Sequence, residues 1–289
     1  MSETLGAISR KINSARKLES VVRTMKILAA SNIGQYETAV ASLKDYYQTV
    51  RYGLFVCLGG DILNSQVEKK RNKVSDSIGV IVFGSDQGLV GQFNDSLADF
   101  VVKTLKPFSC DKYVWAVGER IYARLDDAGI PLAGRFDVPS SVNAITPLSS
   151  NILIKCDKYR SKNINSQLYV FHNRPGNGSI YEPAVQKLLP LDDKWLSDIS
   201  AIKWPSVNLP EVVGNKEQNF LAMIREYLFV SFFKACAESL MSENAARLAA
   251  MQRAEKNINE LLEELGGIFN RVRQDSIDEE LFDIISGST

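Results

Sequence analysis

The sequence predicts a mixed α/β and long-α protein, an antiparallel two-helix coiled coil of the N- and C-terminal helices with an inserted α/β domain. Three observations predict it. Met251, Ala254, Ile258, Leu261, Leu265, Ile268 and Val272 fall at alternating steps of three and four, the 3.5-residue apolar repeat of a coiled-coil seam. Ile33, Tyr36, Val40, Leu43, Tyr47, Val50 and Leu54 do the same near the start. Between the two blocks, short β-branched runs alternate with helical patterns, as in a βαβ sheet.

The first element spans residues 1–57. Ile8, Ile12, Ala15, Leu18, Val22 and Met25 carry its stripe toward the N-terminus with one irregular three-three step, which should distort a supercoil locally without ending it. One helix of about 55 residues, roughly 80 Å long, is the simplest reading. Two shorter helices broken near Gly34 are the alternative. Gly59-Gly60-Asp61 then stops the helix, and the polar stretch Asn64 to Asp76 reads as a loop.

The inserted domain spans 77–191 and is Rossmann-like in its alternation. Ile78 to Phe83 is a strand buried on both faces. A glycine-rich loop leads to a helix from Asn94 to Leu105. Tyr113 to Val117 is a second strand, and Gly118 opens a helix ending near Gly129. Ile152 to Tyr159 fits a helix and Gln167 to His172 a third strand. Asn173 to Ser179 turns the chain into a return strand, Tyr181 to Leu189. Residues 192–214, with Pro205 and Pro210 and no clear period, form a connector. The C-terminal element, 215–289, is a proline-free amphipathic helix from about Asn215 to Ile285, roughly 105 Å long, with an apolar tip. Being the longer of the two, it should project past its partner.

Composition narrows the function. Hydrophobic content of 45% and charged content of 24% suit a globular chain. A net charge of zero argues against a generally basic nucleic-acid binder. The charge is nonetheless segregated: Arg10, Lys11, Arg16, Lys17, Arg23 and Lys26 cluster near the start, and Asp275, Asp278, Glu279, Glu280 and Asp283 near the end. Cys57, Cys110, Cys156 and Cys236 are far apart, and the single histidine is His172. A metal site has almost no ligands to draw on, and inert thiols in a reducing compartment are expected. Met-Ser-Glu runs straight into the helical pattern, so no signal or transit peptide is expected. The longest apolar run, Tyr227 to Phe233, is too short to cross a bilayer.

Gly84-Ser85-Asp86-Gln87-Gly88-Leu89-Val90-Gly91 stands where phosphate loops stand, after a strand and before a helix. Its glycine spacing fits neither the dinucleotide fingerprint nor the P-loop, and it holds no lysine. A plain strand-to-helix turn is the reading. His172 reads as a strand-end polar residue, and no catalytic triad can be drawn. The unusual features lie on the long helices. Gly266-Gly267 sits mid-helix, where two glycines cost roughly 2 kcal/mol relative to alanine; a local hinge and a close helix approach are both open. Past Arg273-Gln274-Asp275-Ser276, the residues Ile277, Leu281, Phe282, Ile284 and Ile285 make an apolar tip, which on a soluble chain marks a binding face.

Both ends resemble the gamma subunit of F-type ATP synthases, the central rotor stalk. Lys11-Ile12 and Thr24-Met25-Lys26-Ile27-Leu28-Ala29-Ala30-Ser31 look like that family's opening signature. Ser242-Glu243-Asn244-Ala245-Ala246-Arg247, Asn270-Arg271-Val272-Arg273-Gln274-Asp275-Ser276-Ile277 and Ile285-Ser286-Gly287 look like its closing motifs, and Gly84 to Leu89 like its middle turn. The resemblance implies a shaft that enters a head of alternating alpha and beta subunits. The apolar tip, with Ile277 and Leu281, would turn in a bearing. The α/β domain would rest on a ring of c subunits and bind the epsilon subunit. It implies that chemistry occurs on the beta subunits, with no cofactor, nucleic acid or direct small-molecule substrate for this chain. It also implies a peripheral place on the cytoplasmic face of a bacterial plasma membrane.

Carried over by position, Met25 and Lys26 would face a mobile acidic arm of a beta subunit, with Arg247 near that level on the opposing helix. Arg273 and Gln274 would meet a beta-subunit loop, and the basic cluster would suit a collar of acidic loops. The chain departs from the family at Lys26, Asn32, Asp278 and Trp204-Pro205-Ser206-Val207, the last putting the c-ring contacts of the foot in doubt. Two other classes remain: a nucleotide-using α/β enzyme with a helical oligomerisation arm, and a coiled-coil scaffold.

Overall fold

The computed structural model describes residues 4–58, 77–163, 165–191, 193–208 and 210–286, without the side chains of residues 193, 194, 283 and 284. The Gly59-Gly60-Asp61 stop, the loop to Asp76, Gly287 and the Ile284 side chain lie outside the described residues. Two long helices frame the chain: α1 covers Leu5–Cys57 without a break, which settles Gly34 as an ordinary helical position. The last helix covers Lys216–Ser286.

Between them run β1 (Ser77–Phe83), α2 (Phe93–Leu105), β2 (Asp111–Val117), α3 (Glu119–Asp127), β3 (Leu132–Phe136), α4 (Ile145–Lys162), β4 (Ser166–Arg174), β5 (Glu182–Leu189) and α5 (Asp193–Ser200), so the long C-terminal helix is α6. The strands form one sheet in the order β3-β2-β1-β4-β5. β1 pairs in parallel with β2 and β4, β2 in parallel with β3, and β5 returns antiparallel to β4.

The chain divides into two compact units, Asn32–Ala246 and the pair Met1–Ser31 with Arg247–Thr289. In the larger unit the pleat sends alternate residues of β1 to opposite faces. Ile78, Val80 and Val82 meet Leu97, Val101 and Leu105 of α2 and Ile121 and Leu125 of α3. Ile81 and Phe83 face a cluster holding Ile152, Cys156 and Tyr159 of α4, with Leu54 of α1 and Tyr227, Leu228 and Phe232 of α6. Both faces of the sheet are therefore covered, which is why β1 reads as one continuous apolar run. The long helices are antiparallel within this unit: Asn32 donates to Asn244, and Tyr46 donates to Glu226 at 2.7 Å.

Two elements differ from the sequence reading. β3 was not expected, because an edge strand of five residues with Gly134 and Arg135 alternates partial burial and shows no apolar run. Nor was α5, which falls inside the expected connector. Eight residues show only one apolar i,i+4 pair, Trp195 and Ile199, and Trp195 packs edge-on to Tyr227 at 5.3 Å. α4 also starts at Ile145, well ahead of Ile152, since Pro147 sits in its first turn, where no helical N–H is needed.

Candidate partner-binding surface

In the smaller unit the buried residues of α1 are Ile8, Ala15 and Ala29, with Ile12, Glu19, Val22 and Lys26 half-buried between them. These positions step four and three without interruption. The expected seam, with Leu18 and Met25 and an irregular step, is corrected. Leu18 is 58% exposed, and Glu19 and Lys26 hold the seam positions instead. On α6 the seam is Met251, Glu255, Ile258, Leu262, Leu265, Phe269, Val272 and Ser276, all buried or half-buried. Leu261, expected inside, is 44% exposed and is corrected likewise. At 18/19 and 25/26 the apolar residue of each neighbouring pair, Leu18 and Met25, is the one that periodicity points inward, whereas at 261/262 both neighbours are leucine and periodicity does not separate them. The charged residues win because Lys26 Nζ meets Glu255 Oε2 at 2.5 Å, so neither enters the seam alone.

That ion pair fixes the antiparallel level of the two segments. Counting from it, Leu5 falls level with Ser276, so Ile277, Leu281, Phe282 and Ile285 lie past the first residue of α1. They are between 45% and 75% exposed. Arg273 and Gln274 are exposed just before them. Met25 is half-buried beside the seam, while Lys26 is turned to Glu255. Arg247 is half-buried and engaged within the chain, and it lies about two turns of α6 away from Glu255, so it is not level with Met25. Arg10, Lys11, Arg16, Lys17 and Arg23 are exposed, with Arg23 paired to Glu19 at 2.7 Å. Sequence reasoning missed one further feature: Leu18, Val21 and Leu28 form a second apolar stripe on α1, each 55–58% exposed. Its three-seven spacing was visible, but Leu18 had been assigned inward.

The glycine-rich turn of the larger unit is tied up by its own side chains. Asp86 accepts from the backbone N–H of Glu119 at 2.8 Å, at the start of α3, and of Val138 at 2.9 Å. Asn94 accepts from the Ser85 N–H and donates to the Ser85 hydroxyl. A carboxylate thus already sits on the first amide of α3, and Asn94 of α2 ties down the start of the loop. A Cβ at Gly84 would run into Ile121 and Asn94, so the glycine serves close packing here. A polar cavity of about 420 Å³ beside the turn is lined by Arg120, Arg124, Asp95 and Asp127, with Arg124 and Asp95 paired at 2.7 Å.

His172 is buried at the end of β4 and its Nε2 meets Glu238 Oε2 of α6 at 2.8 Å. Burial alone pushes Glu238 up. The hydrogen bond from His172 and the charges of His172, Lys234 and Arg174 more than offset it, so the carboxyl sits below its ordinary value. The cysteines are unpaired; burial raises the thiols of Cys57 and Cys236 and takes that of Cys156 up to about 12. Among the described residues no His, Cys, Asp and Glu cluster could hold a metal ion, and no helix is long and apolar enough to cross a membrane.

Comparison with known proteins follows the same lines. A family profile described as ATP synthase matches residues 4–289. The chain is 27% identical over 285 residues to the ATP synthase gamma chain of Glaesserella parasuis serovar 5 (strain SH0165), covering 97% of each. It is 25% identical over 288 residues to that of Dechloromonas aromatica (strain RCB), again covering 97% of each. Two solved structures share its fold. One is the central stalk and c ring of the Tetrahymena thermophila mitochondrial ATP synthase, with TM-score 0.61 and 21% identity over 81% of this chain and 99% of that one. The other is the rotor of the Euglena gracilis mitochondrial ATP synthase, with TM-score 0.64 and 16% identity over 94% and 98%. With a family match from end to end and gamma chains as its relatives, the chain belongs to the ATP synthase family.

Proposed function

We propose that this chain is the central rotor shaft of an F-type ATP synthase, coupling ion-driven rotation to ATP synthesis or hydrolysis on other subunits. The observation that carries the reading is the end-to-end family match on a chain whose two-helix unit ends in an exposed apolar tip. The tip would turn in a bearing formed by the alpha and beta subunits. Below it, Arg273 and Gln274 would meet a beta-subunit loop and Met25 another, with Lys26 holding Glu255 behind Met25 and Arg247 about two turns of α6 away. The sheet-bearing unit would contact the epsilon subunit and the c ring at the cytoplasmic face of a bacterial plasma membrane. A shaft with a different face toward each beta subunit biases each toward a different nucleotide state by differential contact. No residue of this chain then needs to do chemistry, and the self-tied Gly84 to Gly91 turn fits that reading.

The test is the double variant Arg273→Ala/Gln274→Ala in the assembled enzyme. ATP-driven ion pumping should fall several-fold, while the melting temperature of the isolated chain should stay within about 2 °C, as for exposed positions. Unchanged pumping removes the shaft contact from these residues. Failure of the full chain to co-purify with alpha and beta subunits would remove the proposal itself.

A further inference from the structure

α1 carries two heptad stripes one residue apart. The stripe in use is Ile8, Ile12, Ala15, Glu19, Val22, Lys26 and Ala29; the stripe beside it is Lys11, Ser14, Leu18, Val21, Met25 and Leu28. From residue 18 onward the unused stripe is the more apolar of the two. By burial of apolar area alone, Leu18 and Met25 belong inside, and Glu19 and Lys26 outside. The structure does otherwise: Leu18 and Leu28 are each 58% exposed and Ala29 is 2% exposed, while Glu19 and Lys26 are half-buried and Met25, at the seam edge, is half-buried beside Lys26.

We propose that the Lys26–Glu255 ion pair selects which stripe of α1 faces α6, and thereby keeps Leu18, Val21 and Leu28 presented outward. The two stripes are related by about 100° of rotation about the helix axis, one residue of a 3.6-residue turn. With Glu255 in place, turning α1 to bury Met25 would strand a half-buried carboxylate opposite a thioether. Keeping Lys26 inward gives that carboxylate its partner, and a single polar pair in a seam specifies pairing at some cost in stability. On α6, Glu255 and Leu262 lie on the inward stripe and Leu261 does not. If the chain is the shaft proposed above, the outward stripe, flanked by the exposed cations Arg16, Lys17 and Arg23, is surface offered to the surrounding subunits. The selection itself is a property of this chain alone.

Cysteine accessibility on the isolated full chain tests it. Cys110 is replaced by serine; the other native cysteines are buried. A cysteine is then placed by Leu28→Cys or, separately, Ala29→Cys, and its rate of reaction with a maleimide is measured. With the ion pair intact, position 28 should react at least about tenfold faster than position 29, since a buried thiol must await local opening. Adding Glu255→Leu, which leaves Lys26 facing an apolar seam, should reverse that order. Adding Lys26→Leu to it should restore the original order, because the seam is then apolar on both sides. An unchanged order in the Glu255→Leu chain overturns the proposal. A parallel rise at both positions also overturns it, since the pair would then only hold the helices together. So does failure of the double variant to restore the order. None of these results bears on whether the chain assembles with alpha and beta subunits, so the two proposals fail separately.

Discussion

The single helix α6 lives under two regimes. Between Val230 and Asn244, within the larger unit, Lys234 is its one exposed residue. Ser231, Ser239, Ser242, Glu243 and Asn244 are buried along with Phe232, Cys236 and Leu240. From Arg247 to Ser286, Met251 and Leu265 are the only fully buried residues among those described. The first stretch is enclosed on nearly every side by α1, α4 and the sheet, and three of its polar residues are satisfied by carbonyls: Ser231 donates to that of Tyr227, Ser239 to that of Phe83 and Asn244 to that of Leu240, while the buried Ser242 hydroxyl has no partner among the described residues. The second stretch has one seam. A position there is decided by which way it faces, and its neighbour one residue along suffers the opposite fate.

The sharpest way to break that comparison is to place one charge on either side of the seam edge. Leu262→Asp puts a carboxylate into the half-buried seam and should cost about 3 kcal/mol. Leu261→Asp puts it outward and should stay within about 0.5 kcal/mol. Urea unfolding of the two isolated chains measures the gap, and equal losses would mean that the seam runs through residue 261.

That pair of neighbours shows what the sequence could and could not reveal. The sheet was legible because buried parallel strands carry short apolar runs, here Ile78 to Phe83 of β1, Tyr113 to Val117 of β2 and Leu168 to Phe171 of β4. The long helices were legible because nothing breaks their period. The phase of the period was not, since choosing Glu19 over Leu18 and Leu262 over Leu261 needs knowledge of where the partner helix lies, and the contact that marks it, Lys26–Glu255, joins residues 229 apart. β3 and α5 escaped for another reason: at a sheet edge and in an eight-residue helix, too few side chains are buried to leave a pattern. Of the proposed contact residues, the exposure of Arg273, Gln274 and the tip was legible, since it follows from the end of the seam. It was not at Lys26, whose inward turn depends on Glu255.

The enclosed stretch can be probed by pH. Glu238 has a folded-state pKa below its ordinary value of 4.5. Its contribution to stability is therefore fully present above about pH 4.5 and is lost as the pH falls through the lower folded value. Glu238→Gln should cost about 1–2 kcal/mol at pH 7 and flatten the fall in stability below pH 4.5. The matched control on the open stretch is Glu260→Gln, whose carboxylate is 62% exposed on its pair with Lys256. It should change neither the midpoint nor the acid slope. If both variants flatten the slope equally, enclosure is not what distinguishes the two regimes.

The smallest effect concerns Gly266 and Gly267. A close helix approach and a hinge were both open from the sequence, and α6 runs through the pair as continuous helix. A Cβ at either position would meet nothing within 4 Å, so no approach of the neighbouring helix requires a glycine here. The contrast with Gly53 of the enclosed unit is direct, since a Cβ there would sit 2.6 Å from the Met223 sulfur. Gly267→Ala should then stabilise the isolated chain by roughly 0.5–1 kcal/mol, through helix propensity and lost freedom of the unfolded chain, whereas Gly53→Ala should stabilise it less, because the Met223 thioether must move aside. The useful readout lies in the assembled enzyme. If the glycines serve as a point of bending during turnover, Gly267→Ala should lower the rate of ATP hydrolysis while raising the melting temperature. If they are only an unimproved stretch of an exposed helix, the melting temperature rises and the rate stays where it was.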